Sequence, residues 1–138
     1  MIIQIILMML LMHLIADYTI QGCLANLKQR SWWIEEGKKH DMTMQEIAKY
    51  KHDYKCGLLC HSLYWTLITF SPIVFFSMCS MPTILTVVIA NTAIHYWVDD
   101  MKANKRTITL CEDQFYHFVQ IVTTAVAVYV LMPMIGAI

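Results

Sequence analysis

Charge is what this chain has least of. Asp, Glu, Lys and Arg make up 14% of its 138 residues, against roughly 25% in an average soluble domain. Hydrophobic residues reach 58% and the mean hydropathy is +0.51, so a soluble monomer would lack polar groups to cover its surface. Ten basic and ten acidic residues cancel, and no basic excess points to nucleic acid. Glycine and proline are sparse too, at four and three. There is no Gly-rich phosphate loop, no nucleophile elbow and no low-complexity tract, which excludes the common phosphate-cradle and serine-nucleophile motifs.

Cysteine is limited to Cys23, Cys56, Cys60, Cys79 and Cys111. An odd number, mostly at helix ends, argues for reduced thiols on a cytoplasmic side and against a disulfide framework. Cys23, Cys56, Cys60 and Cys111 have the donor type for zinc, but Cys56 and Cys60 lack the usual two-residue spacer. Small buried hydrophobes is the role expected of them. The first apolar segment lacks a basic leader and a small-residue cleavage motif, and His13 and Asp17 interrupt it. It is therefore expected to stay in the mature protein.

Long apolar runs are what the chain has in abundance. Four stand out, at about 2–22, 57–80, 83–101 and 114–136, each near the roughly 20 residues a membrane helix needs. The expected fold is all-α: a single domain, 1–138, forming an integral membrane bundle of four transmembrane helices. Pro72 should kink the second span, and Pro82 suits the first turn of the third. In the connecting loop 26–55, Trp32 and Trp33 suit either a membrane interface or packing against the bundle's end. Thr43 and Glu46 form a capping-box pattern. Met44, Ile47, Ala48 and Tyr54 then face away from Glu46, Lys49 and Asp53, the pattern of an amphipathic cytoplasmic helix.

The placement of charge sets the expected orientation. Seven basic residues, Lys28 to Lys55, lie between the first two runs, and the remaining three, Lys102, Lys105 and Arg106, between the last two. No Lys or Arg lies anywhere else. The positive-inside rule makes both loops cytoplasmic and both termini external, in a multi-pass membrane protein. The lipid bilayer is then the first partner, and homo-oligomerisation is left open.

Function should lie with the polar residues inside the runs. His13, Asp17 and Gln21 are spaced by four, as are Asn91, His95 and Asp99, so each trio shares a helical face. His61 stands alone in the second run. Asp113, Gln114 and His117 open the fourth, with Gln120 and Thr124 continuing the stripe. With alternating span direction and a 1.5 Å rise per residue, the four histidines reach similar depth in the inner half of the bilayer. The pattern His-x-x-x-Asp followed by a return-helix His occurs twice, which reads as two parallel-repeat hairpins.

An ionisable group deep in a bilayer costs roughly 2.5–3.5 kcal/mol or more, so several at one depth must pair, bind an ion or line water. Imidazole with carboxylate suits zinc, iron or manganese better than calcium or magnesium. The candidate ligands are His13, Asp17, His61, His95, Asp99 and His117, with Gln21, Asn91 and Gln114 behind them. Asp113 is the candidate general base. Two other readings remain open: a hydrogen-bonded network fastening the helices, and a pathway for ions or protons. His40 and His52 read as solvated loop residues.

The motifs HLIADYTIQ (His13 to Gln21), then Lys28, the single His61, HYWVDDMK (His95 to Lys102) and DQFYH (Asp113 to His117) resemble domain of unknown function 3307, a family of small bacterial and phage membrane proteins. Its pattern falls here on His13, Asp17, Gln21, His61, His95, Asp99, Lys102, Asp113, Gln114 and His117. The resemblance covers the four runs and not the Trp32 to Tyr54 loop. The resemblance implies the site and the topology in a bacterial inner (plasma) membrane, allows a phage origin, and supplies no reaction. A fainter similarity is to membrane-bound metal-dependent hydrolases, which also set His and Asp in short membrane helices. The functional expectation is a membrane protein with a transition-metal site, acting as an embedded hydrolase. The alternative is a non-catalytic membrane protein that works through partner contact.

Overall fold

The structure is a computed structural model, and it describes residues 2–76 and 79–131. Among these residues it is all-helical. Helix α1, Ile2–Leu14, continues into a π turn, Ile15–Thr19. Three short helices follow: α2 (Leu24–Leu27), α3 (Arg30–Lys39) and α4 (Met44–Tyr50). Helix α5 (Tyr54–Thr69) breaks at Phe70 before α6 (Ser71–Phe76). Helix α7 (Met81–Asp100) runs into a second π turn, Met101–Lys105, and α8 (Leu110–Val126) into a third, Ala127–Leu131.

Several boundaries follow from local chemistry. Pro72 follows the α5–α6 break closely, as its missing N–H and fixed φ require. Ser80 caps α7 by accepting from the Thr83 N–H, with Pro82 in the first turn. Thr43–Glu46 and Thr109–Glu112 form complete capping boxes on α4 and α8. Gly22, at φ +52°, takes the left-handed turn that leads away from the first helix.

Helix α5 packs along α7, α1 lies against α5 and α8, and α7 against α8. Their apolar core holds Ile5, Met9, Trp65, Ile73, Val87, Ile121 and Val128. The outward faces carry Leu7, Leu11, Leu63, Leu67, Leu85, Ile89, Phe115 and Phe118, all exposed, while His13, Asp17, His61, Asn91, His95, Asp99, Asp113, His117 and Gln120 are buried. A polar interior under an apolar exterior is the reverse of a soluble domain. Three helical stretches are long and apolar enough to cross a membrane: Ile2–Thr19, Met44–Phe76 and Met81–Lys105. The expected fourth span overlaps α8, but its positions 132–136, like 77–78 of the second, lie outside the described residues.

Three expectations change. Gln21 does not share a helical face with His13 and Asp17, because the helix ends at Thr19. The α4 face is shorter than its sequence pattern, since the helix stops at Tyr50 and Tyr54 begins α5. Of that face Ile47 is buried, near Gly37 of α3, while Met44 and Ala48 are exposed. The cysteines are free, but Cys23, Cys56, Cys60 and Cys111 are exposed, so they are not buried hydrophobes.

Candidate metal centre

The four histidines of α1, α5, α7 and α8 come together around Trp65, near one end of the apolar core. His61, His95 and His117 are wholly buried, and His13, Asp17, Asp99 and Asp113 nearly so. The Trp65 indole stacks on His95 with centroids 4.0 Å apart and planes 14° apart. His95 in turn stacks on His117 at 4.3 Å.

Two groups of side chains have ligand atoms mutually within 4.8 Å: Asp17, His61 and His95, and then His95, Asp99 and His117. His61 Nε2 lies 3.3 Å from His95 Nε2, 3.6 Å from Asp17 Oδ1 and 3.1 Å from Asp99 Oδ2. His95 Nε2 and Asp99 Oδ2 are 3.6 Å apart. Ligands about 2.0–2.2 Å from a tetrahedral metal stand about 3.3–3.6 Å from one another, so the spacing fits the edges of a coordination shell. Asp99 links the groups: Oδ2 faces His61 and His95, and Oδ1 lies 3.6 Å from His117 Nε2. Among the described residues Asp17 Oδ1 and both ring nitrogens of His117 have no hydrogen-bond partner, which leaves them available as ligands.

His13 sits differently. Trp65 Nε1 donates to His13 Nδ1 at 2.9 Å, which puts the imidazole proton on Nε2. That nitrogen donates to Gln114 Oε1 at 3.0 Å. The Gln114 amide donates to Asp113 Oδ2 at 3.0 Å, and Lys102 donates to the same oxygen at 2.9 Å. Both His13 nitrogens are thus engaged, and His13 lies outside both ligand groups although Asp17 Oδ2 is 3.6 Å from its Nδ1. Asp113, the candidate base, is held by Lys102 and Gln114 through Oδ2, while its Oδ1 faces His117 Nε2 at 3.4 Å.

The supporting residues divide. Gln114 touches His13 and Asp113 directly. Gln21 donates to the backbone carbonyl of Asp17. Asn91 belongs to a separate network: Gln120 donates to its carbonyl at 2.9 Å, and Thr124 to its Oδ1 at 3.0 Å. The two ligand groups also cut across the expected repeat, since Asp17 and His61 join His95 of the second hairpin.

Lys28 is the residue the sequence spacing did not place among the ligands. Its ammonium donates to Asp99 Oδ2 at 2.7 Å and to His61 Nε2 at 3.0 Å, with only 13% of the side chain exposed. Two contacts carry it there. Gly57 of α5 lets α2 come so close that any Cβ would collide with the Leu27 carbonyl, an oxygen that Trp33 Nε1 also caps at 2.9 Å. Asn104, in the second π turn, donates to the Lys28 carbonyl at 3.1 Å and accepts from the Arg30 N–H at 2.8 Å. A loop lysine in sequence is thereby a buried cation in space. π turns often lie at functional sites, and here one holds Asp17 and another begins two residues after Asp99. Comparison of the chain with protein-family models, with curated proteins and with solved structures found no match.

Proposed function

We propose that this chain is a four-span membrane protein, both termini outside the cytoplasm, whose His/Asp cluster binds a divalent transition metal: zinc, iron or manganese. The carrying observation is the 3.1–3.6 Å spacing of imidazole nitrogens and carboxylate oxygens around His61, His95 and Asp99. Imidazole with carboxylate is the donor set these ions take. Asp17, His61, His95, Asp99 and His117 would hold the metal. His13, fixed by Trp65 and Gln114, would orient Asp113 through the amide. The resemblance to domain of unknown function 3307 belongs to this proposal and rests on the motif residues alone.

As an enzyme, the protein would be a membrane-embedded hydrolase. The metal would supply Lewis-acid activation, and Asp113, whose Oδ1 lies 3.4 Å from His117 Nε2, would act as the general base. A second reading is favoured by one observation, the Lys28 ammonium lodged between Asp99 and His61. In that reading lysine is the cation of a purely structural network.

Elemental analysis of protein purified without chelator separates the two. About one or two equivalents of metal are expected, falling sharply in His95→Ala and unchanged in His52→Ala, a loop histidine. Metal-free wild type, with His95→Ala only loosening the fold, would establish the structural reading. Reporter fusions after Ile138 and Lys39 test the orientation: the first is expected outside and the second inside, and a cytoplasmic C-terminus overturns it.

A further inference from the structure

Asp99 is at once a member of the ligand cluster and part of the wall of a cavity of about 350 Å³, within the range of small-ligand sites, about 300–1,000 Å³. Its polar lining is Gln21, Lys28, Gln29, Asp99, Lys102 and Arg106. Three cations and two amides therefore surround one carboxylate, and that carboxylate is already paired with Lys28. The cavity lies where α1 gives way to α2 and where the π turn after α7 ends.

The cations are held in place in different ways. Asp99 anchors Lys28 and Asp113 anchors Lys102, each by a short ion pair. An ammonium has three N–H donors, so Lys102, bonded to Asp113, keeps donors to spare. Arg106 makes no ion pair and no side-chain hydrogen bond among the described residues, in contrast to Lys105 beside it, which pairs with Asp100 at 2.9 Å. The Arg106 backbone is held at φ +55°, a conformation non-glycine residues adopt at a cost and that tends to occur at functional sites. An unpaired guanidinium beside two anchored ammonium groups is the arrangement that binds a multiply charged oxyanion. A tetrahedral phosphate, with three or four oxygens, uses more of these donors than a carboxylate with two.

We propose that this cavity binds a phosphate group, either the headgroup of an inner-leaflet lipid or a soluble phosphate. The inference rests on the membrane and metal reading above, since the wall shared through Asp99 would set that phosphate beside the ligand cluster. It names the substrate class of the same site.

The test uses the full chain in neutral detergent micelles. Short-chain phosphatidic acid, short-chain phosphatidylcholine and inorganic phosphate are titrated separately, and binding is read by ³¹P NMR. Saturable binding of phosphatidic acid or inorganic phosphate is expected, weakened about tenfold or more by Arg106→Gln and unchanged by Lys39→Gln, a lysine whose partner is Glu36 in α3. Binding of phosphatidic acid without inorganic phosphate identifies the lipid source, and competition by inorganic phosphate identifies the soluble one. No saturable binding, or equal losses in both variants, overturns the proposal. Metal content, measured on the same samples, keeps the two readings apart. Metal-bearing protein that ignores phosphate sinks this inference alone, and metal-free protein that binds phosphate sinks only the metal centre.

Discussion

Trp65 lies flat on His95, 4.0 Å between ring centroids, and donates its indole N–H to His13. One side chain of α5 thus fixes the ring plane of one histidine and the tautomer of another. It also joins the apolar core to the polar cluster, because Trp65 belongs to both.

Replacing Trp65 by Phe keeps a ring and removes the donor. His13 Nδ1 would be left buried without its partner, a change that costs about 1–3 kcal/mol. Nitrogen-15 NMR of the His13 ring should report Nε2–H in the wild type and a mixture in Trp65→Phe. An identical tautomer in both proteins would mean that Gln114 alone sets the proton.

Lys28 tests what the cluster needs. In Lys28→Met, Asp99 loses its 2.7 Å partner while remaining buried, and breaking a buried ion pair costs about 3–5 kcal/mol. A divalent ion beside Asp99 would supply the missing positive charge. The variant is therefore expected to melt well below wild type when metal-free, and to gain more from added zinc than wild type does. A variant as stable as wild type without zinc, or one that zinc leaves unchanged, contradicts this account.

Sequence pattern carried the helices and the convergence of polar residues, because a bilayer leaves few alternatives for apolar runs and none for unpaired charge. His95 and Asp99, on regular α-helix, sit one turn apart as their spacing requires. Gln21 departed because a π turn and Gly22 intervene, and neither shows in a four-residue spacing. Lys28 stood among the motif residues without its partners being legible, and Trp65 did not stand out at all, for a different reason. Their roles depend on tertiary contacts through Gly57, Asn104 and His13, which no local periodicity encodes. The cysteines misled because residue type alone does not fix burial: Cys23, Cys56, Cys60 and Cys111 are exposed.

The capping box of α8 makes a pH-dependent prediction outside the spans. Glu112 accepts from the Thr109 N–H at 2.7 Å and the Thr109 hydroxyl at 2.9 Å, and these bonds, the backbone one first, hold its carboxyl below the ordinary range. A depressed folded-state pKa means the stabilisation is complete above the ordinary Glu value of about 4.3 and is lost as pH falls through the lower folded value. Carbon-13 NMR of the Glu112 carboxyl should give a midpoint below that of an unstructured Glu, and Thr109→Ala, which removes the hydroxyl and keeps the backbone N–H, should move it only part of the way back up. A midpoint that Thr109→Ala leaves in place would mean the Thr109 hydroxyl takes no part in setting it.

Gly57 links the fold to the cluster. It is the point where α5 admits the end of α2, and the next residue after Leu27 is the lysine that reaches Asp99. A methyl group added here meets a backbone carbonyl that Trp33 already holds, so α2 must move as a unit. Overpacking of this kind costs about 1–3 kcal/mol, and the displacement should draw the Lys28 ammonium off Asp99. In Gly57→Ala the melting temperature should therefore fall, and part of the loss should match that of Lys28→Met. The double variant, Gly57→Ala with Lys28→Met, separates the contributions: coupled sites give less than the sum of the two losses. Strict additivity would show that Lys28 finds Asp99 without the close approach at Gly57, and the positioning role assigned to that glycine would fall.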